Sequence, residues 1–209
     1  MSPAVHPQAL FCILSRMSFG SILNIAASLA NPARPRCGVR GVYAREMVTP
    51  IAEAMREIGF HRALVYHGAT GNGCGGIDEL SPVAESYVAE LTEDGDILHF
   101  TVTPREAGLR GAFSLREIAA GADTREEAQR LLRVFAGTDK GAVYETVCLN
   151  TAPILYVTGA ASSLKLGVEA AREMIDSGRA LQKLQQWVAE QNRDRNSGTV
   201  VLNAMLAQI

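Results

Sequence analysis

Arg62-Ala-Leu-Val-Tyr-His67 runs without a break into Gly68-Ala-Thr-Gly-Asn-Gly-Cys-Gly-Gly76-Ile-Asp-Glu-Leu-Ser-Pro82, and this stretch decides the fold. Its first six residues are an apolar run of strand length. Five glycines between positions 68 and 76 follow at the strand's carboxyl end, where open α/β sheets place ligands. The loop is not a P-loop, because no Gly-Lys-Ser/Thr follows, and it does not fit GxGxxG with a helix behind it. On composition it is either a backbone cradle for an anion or a loop with little chemistry.

The flanks place that strand in an alternating chain. Upstream, Arg40–Tyr43 is a short β-rich run, and 46–58 reads as an amphipathic helix with Met47, Ile51, Met55 and Ile58 on one face, stopped by Gly59. Downstream, 86–91 and 97–103 flank Thr-Glu-Asp-Gly-Asp, a β-hairpin signature because Asp-Gly supplies the positive φ the turn needs. Helices follow at 124–135, 142–157 and from about Ser162 past Trp187, with a break expected at Ser177-Gly178. Thr124 with Glu127 reads as a capping box for the first of these. Before all of this, Leu10, Ile13, Leu14 and Met17, then Ile22, Leu23, Ile25 and Leu29, suit two short helices broken at Gly20 and ended by Pro32 and Pro35.

The expected fold is therefore α/β, a mixed β-sheet with a β-hairpin, flanked by helices. Its organisation is a helical segment over 1–35, the α/β domain over 36–192, and a C-terminal extension over 193–209 that reads as a polar linker and a short apolar element.

Length and composition agree with one folded domain: 209 residues, 47% hydrophobic and 20% charged. A formal net charge of −2 removes the electrostatic case for a dedicated nucleic-acid binder. Cys12, Cys37, Cys74 and Cys148 are scattered, without CxxC or a histidine at ligand spacing, which reads as thiols of a reducing, cytoplasmic compartment. No apolar run reaches the ~18 residues of a membrane span. No Lys or Arg precedes the first apolar stretch, so no secretory leader is expected.

The sharpest candidate site is Asp78-Glu79. Two adjacent carboxylates after a glycine-rich loop suit Mg2+, which takes few protein carboxylates and completes its shell with water and phosphate oxygens; equally, acidic residues favour a helix's first turn. His67 is either an acid–base group or a hydrogen-bonded structural histidine. Cys74 has no neighbour that would lower its thiol pKa. Arg34, Arg36, Arg40 and Arg45 make either a phosphate contact or a solvated rim, and 162–192 reads as a charged outer face. No residue is assigned a catalytic role.

In order along the chain, Ser21-Ile-Leu-Asn24, Leu29-Ala-Asn-Pro-Ala-Arg-Pro35, Gly41-Val-Tyr43, Arg62-Ala-Leu-Val-Tyr-His-Gly68, Gly76-Ile-Asp-Glu-Leu-Ser81, Leu149-Asn-Thr-Ala152 and Gly167-Val-Glu-Ala-Ala-Arg-Glu-Met-Ile-Asp-Ser-Gly-Arg-Ala-Leu181 resemble the anthranilate phosphoribosyltransferase family. That family lies within the nucleoside phosphorylase/phosphoribosyltransferase group. The resemblance implies transfer of 5-phosphoribosyl from phosphoribosyl pyrophosphate (PRPP) to anthranilate or a related aromatic amine, in tryptophan biosynthesis. It implies Mg2+ as cofactor, Asp78 and Glu79 as its ligands, and substrate contacts at Gly20, Asn24, His67 and Gly68.

Three departures bear on that expectation. The family's Gly-Thr-Gly-Gly-Asp loop and Lys-His-Gly-Asn segment occur nowhere in this chain, so an N-terminal helical-domain segment or partner chain is expected to complete the activity. Gly20 stands where the family carries the arginine that meets the acceptor's carboxylate. Ala27-Ser28 replaces a Gly-Pro, and the 69–76 loop is longer and richer in glycine. The alternative is a non-catalytic paralogue or remnant that keeps a Mg-nucleotide site; a homodimer is a further expectation.

Overall fold

The computed structural model describes residues 22–31, 33–71, 73, 75–191 and 195–209. Its helices are α1 (Ile22–Leu29), α2 (Val48–Glu57), α3 (Leu115–Ile118), α4 (Thr124–Phe135), α5 (Ala142–Val157), α6 (Leu164–Asp176), α7 (Arg179–Gln191) and α8 (Arg195–Leu206). The strands are β1 (Cys37–Gly41), β2 (Arg62–Ala69), β3 (Gly76–Ile77), β4 (Ser86–Leu91) and β5 (Ile97–Val102). They form one mixed sheet in the order β1-β2-β4-β5, with β3 added to β2. The α/β class with a hairpin in a mixed sheet is as the sequence predicts.

β2 is central and carries apolar groups to both faces, which is why 63–66 is a continuous apolar run rather than an alternating one. Leu64 and Tyr66 face α5 and α6 together with Val88, while Ala63 and Val65 face α2 with Ala89. α2 covers its face with Val48, Ile51, Ala52 and Met55, all buried. Each large side chain among them contributes about 1.5–3 kcal/mol through removal from water. α5 and α6 pack closely because Gly167 leaves room: a Cβ there would stand 2.9 Å from the Ala152 backbone.

The hairpin forms at the expected residues. Gly95 adopts φ +88, and Thr92 N–H donates to the Asp96 carbonyl at 2.9 Å. The break between α6 and α7 falls at Ser177 and Gly178, the latter at φ +77.

Four readings shift. The β-run expected at Arg40–Tyr43 is strand at Cys37–Gly41: its ladder with β2 stops at Gly41↔Tyr66, because β3 takes that edge of β2 from Gly68↔Ile77 onward. α4 begins at Thr124, but its cap is Asp123, whose carboxylate accepts from Glu126 N–H at 2.8 Å. Glu127 accepts from Gly121 N–H instead. The expected polar linker is helical from Arg195, since α8 packs on α7 and α4 and buries Leu202, a tertiary contact that overrides local propensity. The short α3, started by the Ser114–Glu117 capping box, was not anticipated. The helix expected around 10–17 and the break at Gly20 lie outside the described residues.

Candidate functional site

β2 ends at Ala69, and the chain returns through the glycine loop to lay two residues against it, Gly68↔Ile77 and Ala69↔Gly76. The acidic pair therefore emerges where β3 ends, beside the end of β1. Two glycines make that crossing feasible. A Cβ on Gly41 would sit 1.5 Å from the Asp78 carbonyl oxygen, and one on Gly68 would sit 2.5 Å from that of Glu79. Only residues without side chains let three backbone segments approach this closely.

Ser81 ties off the segment on its far side. Its N–H donates to Ser86 Oγ (2.8 Å), its hydroxyl donates to the Ala69 carbonyl (2.7 Å), and the same oxygen accepts from Ala84 N–H (3.1 Å). Leu80 is buried in the core at 1% exposure. From the helical layer, Asn150 on α5 accepts the Leu80 N–H at 2.8 Å and donates to the Leu80 carbonyl at 3.1 Å. Asp78 and Glu79 are left at the surface of a segment held on both sides.

The electrostatics suit a cation. Partial burial, then the adjacent Asp78 charge, push the Glu79 carboxyl above its ordinary range. Beneath them, Tyr66 is pushed up to about 12 by burial first and by the Glu79 and Asp78 charges next, with Arg40 opposing. Among the described residues no group of three or more His, Cys, Asp or Glu comes together. The side chains thus offer a carboxylate pair and not a closed cage, the donor set that Mg2+ uses when water and substrate phosphate supply the rest. The pair does not open a helix, so the helix-start reading has no support here.

His67 is 7% exposed, and its Nδ1–H donates to the Val42 carbonyl at 2.9 Å. Strand alternation puts its ring on the α2 face, opposite Tyr66. A Cβ on Gly76 would meet that ring at 2.2 Å. Beside it, Tyr43, Arg45, Thr70 and Tyr87 border a cavity of about 510 Å³ together with Gly71, Gly73 and Gly75 of the loop. Those three glycines take φ of +80, +73 and +72.

The four arginines do not converge. Arg36 bonds His61 (2.7 Å), Arg45 stacks 3.7 Å from the Tyr87 ring centre, and Arg34 is exposed. Arg40 is half-buried on β1 and close enough to influence Tyr66. Asn24 lies within α1; Gly20, Asn72 and Cys74 lie outside the described residues. Cys148 is fully buried, and burial pushes its thiol up to about 12, so it is no nucleophile.

Asn150 is not among the candidate residues that the sequence singles out. A signal was present: an asparagine between buried Leu149 and Ala152 on an apolar helix needs a hydrogen-bond partner.

Known proteins supply the remaining context. The chain is 40% identical over 168 residues to the anthranilate phosphoribosyltransferase of Myxococcus xanthus, covering 80% of this chain and 47% of that protein. With that of Parvibaculum lavamentivorans it shares 41% over 176 residues, 84% of this chain and 49% of the relative. The solved anthranilate phosphoribosyltransferase of Thermus thermophilus superposes with a TM-score of 0.73 at 32% identity, covering 88% of this chain and 51% of its own. The Saccharomyces cerevisiae enzyme in complex with PRPP and Mg shares the fold, with a TM-score of 0.71, 20% identity and coverage of 97% and 50%. The chain spans about half the length of the curated relatives it matches. With residues 1–181 matched to its model, this chain belongs to the glycosyl transferase family, a/b domain.

Proposed function

We propose that this chain is the cation-holding α/β portion of an anthranilate phosphoribosyltransferase-like enzyme, acting on PRPP and an aromatic amine in tryptophan biosynthesis. The observation that carries the reading is the Asp78–Glu79 pair, presented at the end of the central strand on a segment clamped by Gly41, Gly68 and Asn150. Asp78 and Glu79 are the residues that would hold Mg2+, whose chemistry is to offset the negative charge growing on departing pyrophosphate.

The chain's own residues supply position. Partial burial first, and the neighbouring Asp78 charge second, make the Glu79 carboxylate costly to hold ionised, so the pair gains from a cation held between it and substrate oxygens. The clamped backbone keeps them from swinging apart, which matters because a misplacement of about 1 Å can cost on the order of a hundredfold in rate. The Gly-Thr-Gly-Gly-Asp and Lys-His-Gly-Asn segments that the family resemblance leads one to expect are not in the sequence. A second portion, of about the length by which the relatives exceed this chain, is therefore part of the proposal. Gly20, Asn24, His67 and Gly68 are the chain's substrate-side residues, a reading that the family resemblance supports. The glycine at 20 favours an acceptor other than anthranilate, or one whose carboxylate is met from elsewhere. A cytoplasmic location goes with the reading, in keeping with the free thiols Cys37 and Cys148.

The test is an assay with PRPP, Mg2+ and anthranilate or substituted anilines, following pyrophosphate release, for the chain alone and mixed with the N-terminal half of a bacterial relative. Product in the mixture and none with the chain alone is expected. Turnover by the chain alone would overturn the need for a second portion. Absence of product in every mixture, with any acceptor, would favour a non-catalytic remnant.

A further inference from the structure

Asn150 does more than fill a half-buried helix position. Its carboxamide makes three hydrogen bonds: from Leu80 N–H (2.8 Å), to the Leu80 carbonyl (3.1 Å) and to the Thr146 carbonyl one turn back on α5 (3.2 Å). The third bond fixes the plane of the amide, and the other two pair it with the backbone as a strand neighbour would. Leu80 N–H belongs to the peptide that joins Glu79 to Leu80. Its orientation sets the direction in which the Glu79 side chain leaves the backbone.

We infer that Asn150 is a positioning residue for a divalent cation, holding the Asp78–Glu79 segment in its binding posture through both backbone groups of Leu80. The inference rests on the cation reading of that pair. The Leu80 side chain, buried at 1% exposure, already anchors the segment in the core, so the carboxamide is not needed to keep it there. What the carboxamide adds is rotational: Gly41 and Gly68 deny the segment any movement toward the sheet, and Asn150 denies it rotation about its own axis. Groups that orient metal ligands from behind are commonly worth about 10–100-fold in metal affinity.

The test uses the full chain, 15N-labelled, titrated with Mn2+ alone and followed by paramagnetic broadening of backbone amides. In the parent, broadening begins at residues 77–81. Asn150→Leu keeps the side-chain size and suits a helix, and Asn150→Ser removes bulk; both are expected to need at least about tenfold more Mn2+ for the same broadening. The Leu80 amide is expected to exchange faster with solvent in both variants. Ile175→Ala, a truncation of a buried α6 residue in the same core, serves as the control for lost stability and is expected to titrate as the parent. Parent-like titration of both Asn150 variants, or an equal loss in Ile175→Ala, overturns the inference and leaves the cation site standing. A parent without broadening at 77–81 removes the cation reading, and the inference with it.

Discussion

Glu145 on α5 and Arg172 on α6 form an ion pair inside the protein, with Oε1 and Nε 3.2 Å apart and side-chain exposures of 5% and 7%. The pair reaches beyond its two helices: Arg172 also donates to the Gly108 carbonyl at 2.9 Å, and Glu145 accepts from Arg110 N–H at 3.2 Å. One buried pair thus staples the helical layer to the loop that follows β5. It holds α5 in the place from which Asn150 reaches the acidic segment.

Removing one partner strands the other charge. Arg172→Leu is expected to destabilise the protein by about 3–5 kcal/mol, whereas Glu145→Met combined with Arg172→Leu recovers most of that loss. Urea denaturation of the two single variants and the double one measures this. A single-variant loss below about 1 kcal/mol would contradict the buried-pair reading.

Gly167→Ala sets helix propensity against packing. The new methyl would meet the Ala152 backbone at 2.9 Å, so α5 and α6 must part. Overpacking at about 1–3 kcal/mol outweighs the gain of up to about 1 kcal/mol from replacing glycine in a helix. A lowered urea midpoint is expected.

Replacing both Asp78 and Glu79 with alanine is expected to abolish Mg2+-dependent PRPP binding by the chain paired with a complementary portion, and to leave the far-ultraviolet circular dichroism unchanged. Calorimetric titration of PRPP with and without Mg2+ reads this. Unchanged affinity refutes the assignment.

Glu79 also has a stability consequence with a definite sign. Its folded pKa lies above its unfolded one, so the folded state holds the proton more tightly, and stability falls as pH rises from the unfolded value of about 4.3 through the folded value. Glu79→Gln is therefore expected to raise the melting temperature at pH 7 and to match the parent below about pH 4. Residue 79 is exposed as a whole and its carboxyl only partly shielded by the segment around it, so solvent screening keeps the gain below about 1 kcal/mol. Melting curves across pH 4 to 8 test it; a stabilisation independent of pH would point elsewhere.

Gly20→Arg restores the residue type the family uses against the acceptor's carboxylate. In the two-portion assay it is expected to lower the KM for anthranilate about tenfold or more, with little change for PRPP. No effect would argue for a different acceptor or pose.

Residues that carry their own periodicity or turn chemistry were legible without coordinates. The β2 run, the Asp94-Gly95 hairpin and α5 fall where apolar spacing and positive-φ glycines put them, because those signals act within a few residues. α2 is shorter than its apolar spacing predicts: Arg45–Met47 is a 3-10 turn, and Ile58, expected on the buried face, is 55% exposed because the helix has ended at Glu57. The α4 cap was misplaced by one residue because Asp123 and Thr124 are both good caps, and extended backbone at Asp123 (φ −151) decides between them. α8 was hidden since Arg-Asn-Ser-Gly has little local preference for helix; packing on α4 and α7 supplies it.

The sequence by itself determined the fold class, the family and the acidic pair, all of which rest on order along the chain. Tertiary structure alone decided what holds that pair. Gly41 lies 37 positions before Asp78, and Asn150 lies 70 positions after Leu80. No local propensity links such residues; only the sheet register and the seating of α5 on it bring them together. A backbone approach that admits no Cβ, and an amide that satisfies a peptide from another layer, exist only once that core has closed.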